Sequence, residues 1–539
     1  MLRASRPVRT PSSRAPRPSC RDRTAPGYKP VPDGGRSGDT GDSRKYVPRR
    51  RTTAVQPNVL LVVLDSVRAR NVGHLGHAEP TTPCLDAFAG RERSVRYMNA
   101  RAPGTWSLPS HVSMFTGYHV REHGVTGRGQ RLQQGHTVWE TLAEGGYDTG
   151  VFSSNPYLTE VDVGLRDAFE TVAGRIDLPY PSAGDPREFV RQHGTSSFLA
   201  YVQHCLAGDQ PIRGLVNGAF EKLERDLPVV AERLPLSLQP GTSGDRYVDR
   251  VLRWTAAQNG PWAACVNLMD AHHPYEPRPE FDRWGGDRLR ALQSDIDSHA
   301  WEFVGGQRPW WQRRALEALY DGAIRQADTA VGGLLDALDE REVLDETLVV
   351  VTSDHGEGFG EPDPTRSGHR AVGHGNGGLA EPLLHVPLVV RYPDGVEPAT
   401  SRETAPATLT RFPEVVSGVG DGEVASFVPD GPVLAATTGL DGPMRNAATE
   451  YVDDVGPHEA GGDAIYRAAE EPGVVRKTSR VSDSWTTQLV RDAHTAYAIE
   501  AESAEAAETV ESLTDAGVGE TSGEVSTAVA DRLEDLGYA

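Results

Sequence analysis

The sequence predicts a doubly wound α/β fold built around a parallel sheet. Continuous apolar runs end at polar residues, and these runs alternate with helix-like segments along the chain. Uninterrupted apolar runs of this length are typical of strands that helices cover on both faces. The ends of such strands are where α/β proteins gather functional residues, so the residues that follow each run are the first candidates for a site.

Each element of this fold has its own signal in the sequence. Residues 58–64 read Asn-Val-Leu-Leu-Val-Val-Leu and end at Asp65, which indicates a buried first strand. Similar signals predict further strands near 151–152 and over 261–269, 347–352 and 386–391. Helical periodicity predicts helices over 139–146, 247–258 and 310–342. Residues 171–245 show weak patterning with many Pro and Gly, which is consistent with an insertion of short helices and loops.

Two flanking regions have a different texture. Residues 1–56 are rich in Arg, Pro and Ser, and we expect a disordered basic tail or sequence upstream of the true start. The α/β domain is predicted over 57–425, followed by a small α+β subdomain with an acidic tail over 426–539. That subdomain shows short strands over 433–436, 474–478, 487–490 and 496–499, a mobile linker or frayed helix over 501–525, and a last amphipathic helix over 525–536.

The charge is distributed unevenly. The chain carries −21 overall, while the first 56 residues hold 14 Lys and Arg against 4 Asp and Glu, so the body carries −31. A body this acidic repels a phosphate backbone, which excludes nucleic acid as a partner. Because only four of the basic residues are lysine, the surface resembles that of proteins from concentrated salt. An acidic mesophilic enzyme from a GC-rich genome is an equal alternative.

The four cysteines, Cys20, Cys84, Cys205 and Cys265, lack the spacing of a disulfide framework or a zinc site. No apolar run is long enough to span a bilayer, so we expect no membrane partner. The N-terminus lacks the apolar core of a signal peptide, and cytoplasmic residence is therefore the default expectation. Oligomeric state leaves no mark in the sequence.

Three positions could supply the ligands of a metal ion. Asp65 ends the first predicted strand, and Asp354 and His355 end the strand over 347–352. A carboxylate just past a buried strand is fixed yet accessible, which suits a hard cation. The neighbours Asp354 and His355 could share one ion if the backbone turns sharply, and Gly356 allows such a turn.

Ser107 is the candidate nucleophile. It lies in the Pro-containing segment 102–111, directly before a helix-like stretch, where a hydroxyl would be close to unpaired amide donors. Taken alone, the segment would more simply be explained by a serine that caps a helix.

Several spaced motifs resemble the sulfatase family over residues 57–395, and the C-terminal part resembles it loosely. They are Asp65-Ser-Val-Arg68, Thr82-Pro83, Ser107-Leu-Pro109-Ser110-His111 with Thr116-Gly117, Asp270-Ala-His272-His-Pro274, Ser353-Asp354-His355-Gly356-Glu357, Gly373-His374-Gly375 and Val386-Pro387. Such motifs in the same order are a specific signal, although each alone would be weak.

The resemblance implies an alkaline-phosphatase-like α/β sandwich with roles for individual residues. Asp65, Asp354, His355 and the side chain at 107 would bind one divalent cation. Ser107 would be the nucleophile position, which sulfatases oxidise to formylglycine. His272 and His374 correspond to the groups that contact the ester oxygens and protonate the leaving group. His111 stands in the same motif and is a further catalytic candidate.

Three departures from the family pattern keep the alternatives open. His111 replaces the arginine of the modification signal, Ser66 replaces a common second aspartate, and His374 replaces a common lysine. Sulfuric-ester hydrolysis is the first hypothesis, and a phosphate mono- or diesterase or phosphoryl transferase with unmodified serine is the second. A non-catalytic scaffold is the weakest, because the candidate ligands are all present. The substrate would be a sulfated or phosphorylated small molecule or glycan.

The oxygen ligands favour calcium, while the imidazole leaves magnesium, manganese or zinc open. A two-zinc site is less well supported, because it would need an Asp and a His three intervening residues apart, and Asp270 is followed at that distance by Pro274.

Overall fold

An eight-stranded mixed sheet forms the centre of the structure, which is a computed structural model. It describes residues 56–174, 198–208, 210–226, 243–297, 299–366, 368–375, 378–440 and 442–522, with Phe189 and Leu533. The predicted tail up to residue 55, much of the 171–245 insertion, and the last predicted helix apart from Leu533 lie outside the described residues. The domain boundary near 425 stays a prediction.

The spatial order of the central sheet places the first strand of the chain in its middle. The strands are numbered in chain order. From one edge of the sheet to the other they are β12 (Arg402–Glu403), β2 (Ser94–Tyr97), β11 (Leu388–Arg391), β8 (Thr347–Thr352), β1 (Asn58–Leu64), β7 (Trp262–Leu268), β5 (Asp148–Ser153) and β6 (Thr171–Ala173). The five strands from β8 to β6 are mutually parallel. Four of them were predicted, whereas β6 lies at the start of the segment for which the sequence predicted short helices and loops. Strand β11 is antiparallel to both of its neighbours, which the sequence did not indicate.

Alternate residues of β1 pack on opposite faces of the sheet. Leu61 belongs to one buried cluster together with the helices Ser107–Thr116, Val138–Glu144 and Phe412–Gly420. Leu60 belongs to the other, which includes residues from the helices Pro83–Ala89, Gly244–Thr255 and Glu317–Glu340. Burying one leucine side chain stabilises the fold by about 1.5–3 kcal/mol. The two covered faces thus confirm the doubly wound arrangement and explain the unbroken apolar sequence of β1.

The helices range from 4 to 24 residues in length. The helix predicted over 310–342 is divided into Trp310–Ala315 and Glu317–Glu340. The others are Val120–His123, Pro156–Thr159, Phe198–Ala207, Pro211–Asp226, Asp287–Ser294, Trp301–Val304, Glu381–Leu384, Gly442–Thr449, Gly456–Glu459 and Ala504–Glu511. Within the part of the chain that the structure describes, no helix has the length and apolar character needed to cross a membrane.

A second sheet, five strands in an antiparallel meander, forms the C-terminal part. Its strands are β14 (Val433–Thr437), β15 (Gly462–Ala468), β16 (Val475–Val481), β17 (Ser484–Val490) and β18 (Ala496–Ile499). The sequence predicted four of them and missed β15. Three two-stranded sheets complete the fold: β3 (Ala100–Arg101) with β13 (Ala407–Thr408), β9 (Gly358–Pro362) with β10 (Arg370–Gly373), and β4 (Gln130–Leu132) with β19 (Gly519–Thr521).

The prediction of a mobile linker or frayed helix over 501–525 was wrong for much of that segment. The helix Ala504–Glu511 packs Ala506 and Val510 against Ile465 of the second sheet. Strand β19 then pairs antiparallel with β4, more than three hundred residues earlier in the chain. The sequence did not reveal these contacts, because the helix is acidic and buries only two of its side chains.

Candidate active site

The three predicted metal ligands meet at the carboxyl ends of adjacent strands. Asp65 follows β1, and Asp354 with His355 follows β8, which is hydrogen-bonded to β1. One ligand atom from each side chain lies within 4.8 Å of those of the other two. His355 Nε2 is 3.7 Å from Asp65 Oδ1 and 3.4 Å from Asp354 Oδ2. All three residues are buried, so the fold concentrates two carboxylates where water is largely excluded.

Two asparagines orient the Asp65 carboxylate. Asn155 Nδ2 donates to Asp65 Oδ2 at 2.9 Å, and Asn267 Nδ2 donates to the same oxygen at 3.0 Å. The hydroxyl of Ser66 donates to Asp65 Oδ1 at 3.1 Å. Ser66 has a φ of +64°, so the backbone turns sharply just after the strand. Ser66, one of the three departures from the sulfatase pattern, therefore orients the Asp65 carboxylate and adds no carboxylate of its own.

One oxygen of Asp354 has no hydrogen-bond partner. Its Oδ1 accepts from the backbone N–H of Ser66 at 3.3 Å and of His355 at 3.0 Å. Its Oδ2 is buried and accepts no hydrogen bond. A buried carboxylate oxygen without a donor is costly, and a bound cation removes that cost. The donor set, two carboxylates and an imidazole, thus fits a divalent cation.

The tautomer of His355 follows from its contacts. Its Nδ1 lies 2.9 Å from the carbonyl oxygen of Gly356, which can only accept, so Nδ1 donates and Nε2 presents a lone pair.

The sequence predicts that Gly356 allows a sharp turn, but the φ of Gly356 is not positive. A Cβ atom there would lie 1.9 Å from the Pro382 carbonyl oxygen, so close packing is what requires glycine.

Ser107 is the first residue of the helix Ser107–Thr116, and the extended Trp106 is the N-cap. The alternative of an ordinary serine cap is therefore wrong. Ser107 Oγ lies 3.2 Å from His355 Nε2, which places the hydroxyl beside the ligand cluster. The helix N-terminus favours negative charge at this position. Ser110, one turn further, donates to the carbonyl oxygen of Asp354 and ties the helix to the second ligand strand.

His111 lies beside the cluster. Its Nδ1 is 2.8 Å from the Ser107 carbonyl oxygen and therefore donates to it, and the same atom is 3.6 Å from Asp354 Oδ2. Its Nε2 is buried without a hydrogen-bond partner. His111 thus contacts the backbone of the serine and approaches a ligand carboxylate.

His272 and His374 complete the cluster from two loops. Their ring centroids are 4.9 Å apart, and the centroid of His374 is 4.5 Å from that of His355. His374 Nδ1 lies 3.0 Å from Glu357 Oε2, and Arg313 donates to the other oxygen of Glu357 at 2.8 Å. The structure therefore brings together every site residue that the sequence predicted.

The two histidines differ in their protonation. Burial, together with the nearby His374, lowers the pKa of His272 to about 4. Burial also opposes protonation of His374, but the carboxylate of Glu357 outweighs it and raises the pKa of His374. Glu357 is lowered in pKa to about 2, because His374 and Arg313 outweigh the effect of its burial. One imidazole is thus neutral near pH 7 while its neighbour favours the cation.

Sequence reasoning gave no role to Asn155, Asn267, Glu357 or Arg313. A signal existed for Asn267, which is the polar residue in the otherwise apolar strand Trp262–Leu268. Asn155 follows β5, and Glu357 lies in the motif of Asp354, so position after a strand marks both. Arg313 reaches the site from a helix and carries no local signal.

Comparisons with known proteins agree with this geometry. The sequence profile of the sulfatase family matches residues 57–415. Bovine arylsulfatase A is 25% identical over 379 residues, which cover 68% of this chain and 65% of that protein. Mouse steryl-sulfatase is 33% identical over 402 residues, which cover 68% of this chain and 62% of that protein. The chain thus matches somewhat less than two thirds of the length of these two relatives.

A likeness at the level of the fold extends further along the chain. The phosphonate monoester hydrolase of Agrobacterium radiobacter superposes with a TM-score of 0.52 at 18% identity, covering 89% of this chain and 95% of that one. This likeness concerns the fold alone. On the family profile, which spans all eight strands of the central sheet and all of the candidate ligands, the chain belongs to the sulfatase family.

Proposed function

We propose that the protein hydrolyses a sulfuric ester with one divalent cation and Ser107 as the nucleophile position. The observation that carries the proposal is the convergence of Asp65, Asp354 and His355 on the N-terminus of the Ser107 helix, with Asp354 Oδ2 buried and unpaired. A tetrahedral anionic centre needs positive charge beside a nucleophile, and this arrangement offers both. Membership of the sulfatase family supports the choice of a sulfate ester.

Asp65, Asp354 and His355 would hold the cation, with the side chain at 107 completing the ligand set. When bound, such an ion neutralises ester oxygens and lowers the pKa of the nucleophile. Calcium is our proposal for its identity, because most of the candidate ligand atoms are oxygens. Asn155 and Asn267 keep the Asp65 carboxylate in one orientation, which fixes the ligand geometry before any ion binds.

The proton that the leaving group needs would come from His374. Glu357 accepts from His374 Nδ1, so the opposite ring nitrogen carries the transferable proton. Arg313 holds Glu357 in place and keeps it ionised. His272 is neutral near pH 7 and its Nδ1 donates to the His273 carbonyl oxygen at 2.6 Å, so its Nε2 would face the substrate as a hydrogen-bond acceptor. Two neighbouring imidazoles with opposite pKa shifts are a common arrangement for acid and base roles.

The state of Ser107 distinguishes the main proposal from its alternative. Sulfatase chemistry of the family type would require oxidation of Ser107 to formylglycine, although His111 replaces the arginine of the modification signal. An unmodified Ser107 would favour phosphoryl transfer or phosphate ester hydrolysis. The substitution at His111 is the specific observation that favours this second function. Mass spectrometry of the peptide that contains Ser107 separates the two states by the loss of two hydrogens.

The decisive experiment compares an aryl sulfate, a phosphate monoester and a phosphate diester in calcium and high salt. Ser107→Ala is tested beside Ser294→Ala, an exposed helix serine whose hydroxyl bonds only its own helix among the described contacts. Sulfate turnover that is lost in Ser107→Ala alone would support the proposal. Turnover of phosphate esters alone would move the protein to the alternative. Turnover of none, with no bound cation, would favour a scaffold.

Adaptation to concentrated salt is a further part of the proposal. The body of the chain carries −31, and screening of this charge should stabilise the folded state. Thermal unfolding in low and in molar salt tests it, because equal stability in both would favour the acidic mesophilic alternative.

A sulfated glycan or small molecule is the substrate class that we propose. In support, an N-acetylgalactosamine-6-O-sulfatase of Bacteroides thetaiotaomicron is 22% identical over 404 residues.

A further inference from the structure

A cavity of about 470 Å³ opens between residues 126–130 and residues 438–440. This volume is within the range of about 300–1,000 Å³ of small-molecule sites. Its walls consist of glycines, threonines, a glutamine, a leucine and Arg128. Such walls combine hydrogen-bonding groups and one positive charge with apolar surface that includes Leu440, which suits a sugar that carries an anionic group.

Both walls are continuous with the segments that carry Ser107. The hydroxyls of Thr437 and Thr105 lie 3.3 Å apart, and Thr437 directly precedes one wall. Ala436 also donates to the Pro103 carbonyl oxygen at 2.9 Å, so β14 follows the turn that leads to Ser107. On the other side, Ser113 of the Ser107 helix contacts His123 at 3.0 Å, just before the second wall.

The wall that contains Arg128 is fixed at both ends. Gln130 begins β4, which pairs with β19, and the Ser522 hydroxyl donates to the Arg128 carbonyl oxygen. At the other end, the Thr126 amide donates to Gln130 Oε1 at 2.8 Å, which closes the loop on itself. The loop therefore presents Arg128 from a braced backbone.

The side chain of Arg128 is partly exposed and makes no hydrogen bond or ion pair with any residue that the structure describes. Most arginines near the catalytic cluster are already neutralised, as Arg313 is by Glu357 and Arg68 by Glu317 and Glu361. Residues 57–539 carry a net charge of −31, so most guanidinium groups have a carboxylate nearby. The Arg128 guanidinium has no such partner and lines the cavity, so it is available to bind an anion.

The geometry points to a second substrate subsite in this cavity, where Arg128 binds an anionic substituent, a sulfate or a carboxylate, of a sugar substrate whose scissile ester lies at Ser107. This inference rests on the proposed function for the position of the scissile ester. It adds that the protein prefers substrates with two anionic groups over those with one. Arg128 would determine specificity and take no part in bond cleavage.

The test is a calorimetric binding measurement on the full chain with Ser107→Ala, so that no ligand is consumed. The probes are glucosamine carrying N- and 6-O-sulfates and N-acetylglucosamine carrying the 6-O-sulfate alone, so that the second sugar carries no ammonium group. We expect about tenfold tighter binding of the disulfated sugar, because one charge-assisted contact is gained. Adding Arg128→Ala should abolish this preference, Arg128→Lys should keep part of it, and the exposed Arg288→Ala should not change it.

A second variant fills the cavity. A Cβ on Gly129 would meet no atom within 4 Å, so Gly129→Phe is tolerated by the backbone and should weaken binding of the disulfated sugar alone. In the protein that retains Ser107, the exposed Arg288→Ala should leave turnover of a small aryl sulfate within about twofold. A preference that is absent, or that survives Arg128→Ala, would overturn the subsite. Failure of aryl sulfate turnover in the unsubstituted protein would instead refute the proposed function and leave the binding result standing.

Discussion

The central sheet and the C-terminal sheet are stabilised in different ways. Strands of the central sheet are covered on both faces, and every residue of β1, β7 and β8 is buried. The C-terminal meander mixes buried residues with partly and fully exposed ones, as in β17, and a buried charged cluster joins it to the rest. The comparison teaches that apolar packing positions the ligands, whereas the sheet that borders the proposed subsite is attached both by apolar contacts with residues 379–384 and by buried paired charges.

The largest expected effect concerns the ends of the central strands. Asp354→Ala should abolish metal binding and lower kcat/KM about a thousandfold or more, because it removes a ligand without touching the apolar core. Metal analysis and aryl sulfate kinetics measure both. Glu346→Ala is the matched control, since this exposed acidic residue directly precedes the same strand at its opposite end and makes no ion pair among the described contacts. Full activity in Asp354→Ala would refute the site assignment.

Lys477→Met tests the charged cluster of the second sheet. Lys477 Nζ and Arg101 Nη2 each lie 3.0 Å from a different oxygen of Glu381, and all three side chains are buried or nearly so. Removing one partner of a buried pair should lower the free energy of unfolding by about 3 kcal/mol. Denaturant unfolding measures the change. Arg491→Met, which removes an exposed pair with Glu471, should leave the free energy of unfolding nearly unchanged.

Apolar packing should matter more in the first sheet than in the second. Leu61 of β1 is fully buried, so Leu61→Ala should lower the free energy of unfolding by about 3 kcal/mol through loss of contacts and an unfilled cavity. Leu489 of β17 is only partly buried, and Leu489→Ala should cost about 1 kcal/mol. Denaturant midpoints measured for both variants would contradict the comparison if the two losses were equal.

The smallest effect is a pH dependence located behind the Ser107 helix. His123 Nδ1 accepts from the Val125 amide at 3.0 Å, so Nε2 donates to Ser113. Burial lowers the pKa of His123 to about 3, below the usual 6.5. Only the unfolded state then gains this proton as the pH falls below 6.5, so His123 costs stability there, by about 1.4 kcal/mol per pH unit.

Unfolding measured at pH 7.5 and at pH 5 should therefore show a shallower loss in His123→Gln than in the unsubstituted protein. Other buried histidines contribute to the total loss, but their share is common to both proteins. Identical slopes for the two would show that His123 does not stay neutral in the folded state.

The difference between the sheets also explains which features the sequence could predict. The parallel strands were found because burial on both faces leaves an unbroken apolar run, and their polar ends led directly to Asp65 and Asp354. Strand β15 was missed because Asp463 interrupts its apolar pattern; this buried carboxylate pairs with Arg121, which is remote in sequence. The antiparallel direction of β11 likewise depends on long-range packing. Arg313 and Glu357 meet only in the folded chain.

The place of β1 in the middle of the sheet has a consequence for synthesis. Val59 pairs with Ala263 on one side and Leu348 on the other, so both neighbours of the first strand leave the ribosome long after it does. At about 5–20 residues per second, this apolar segment waits roughly 10 s to 1 min for its partners. During that interval it is a binding site for chaperones and a starting point for aggregation. The yield of folded protein in a heterologous host should accordingly depend on the speed of translation and on chaperone supply.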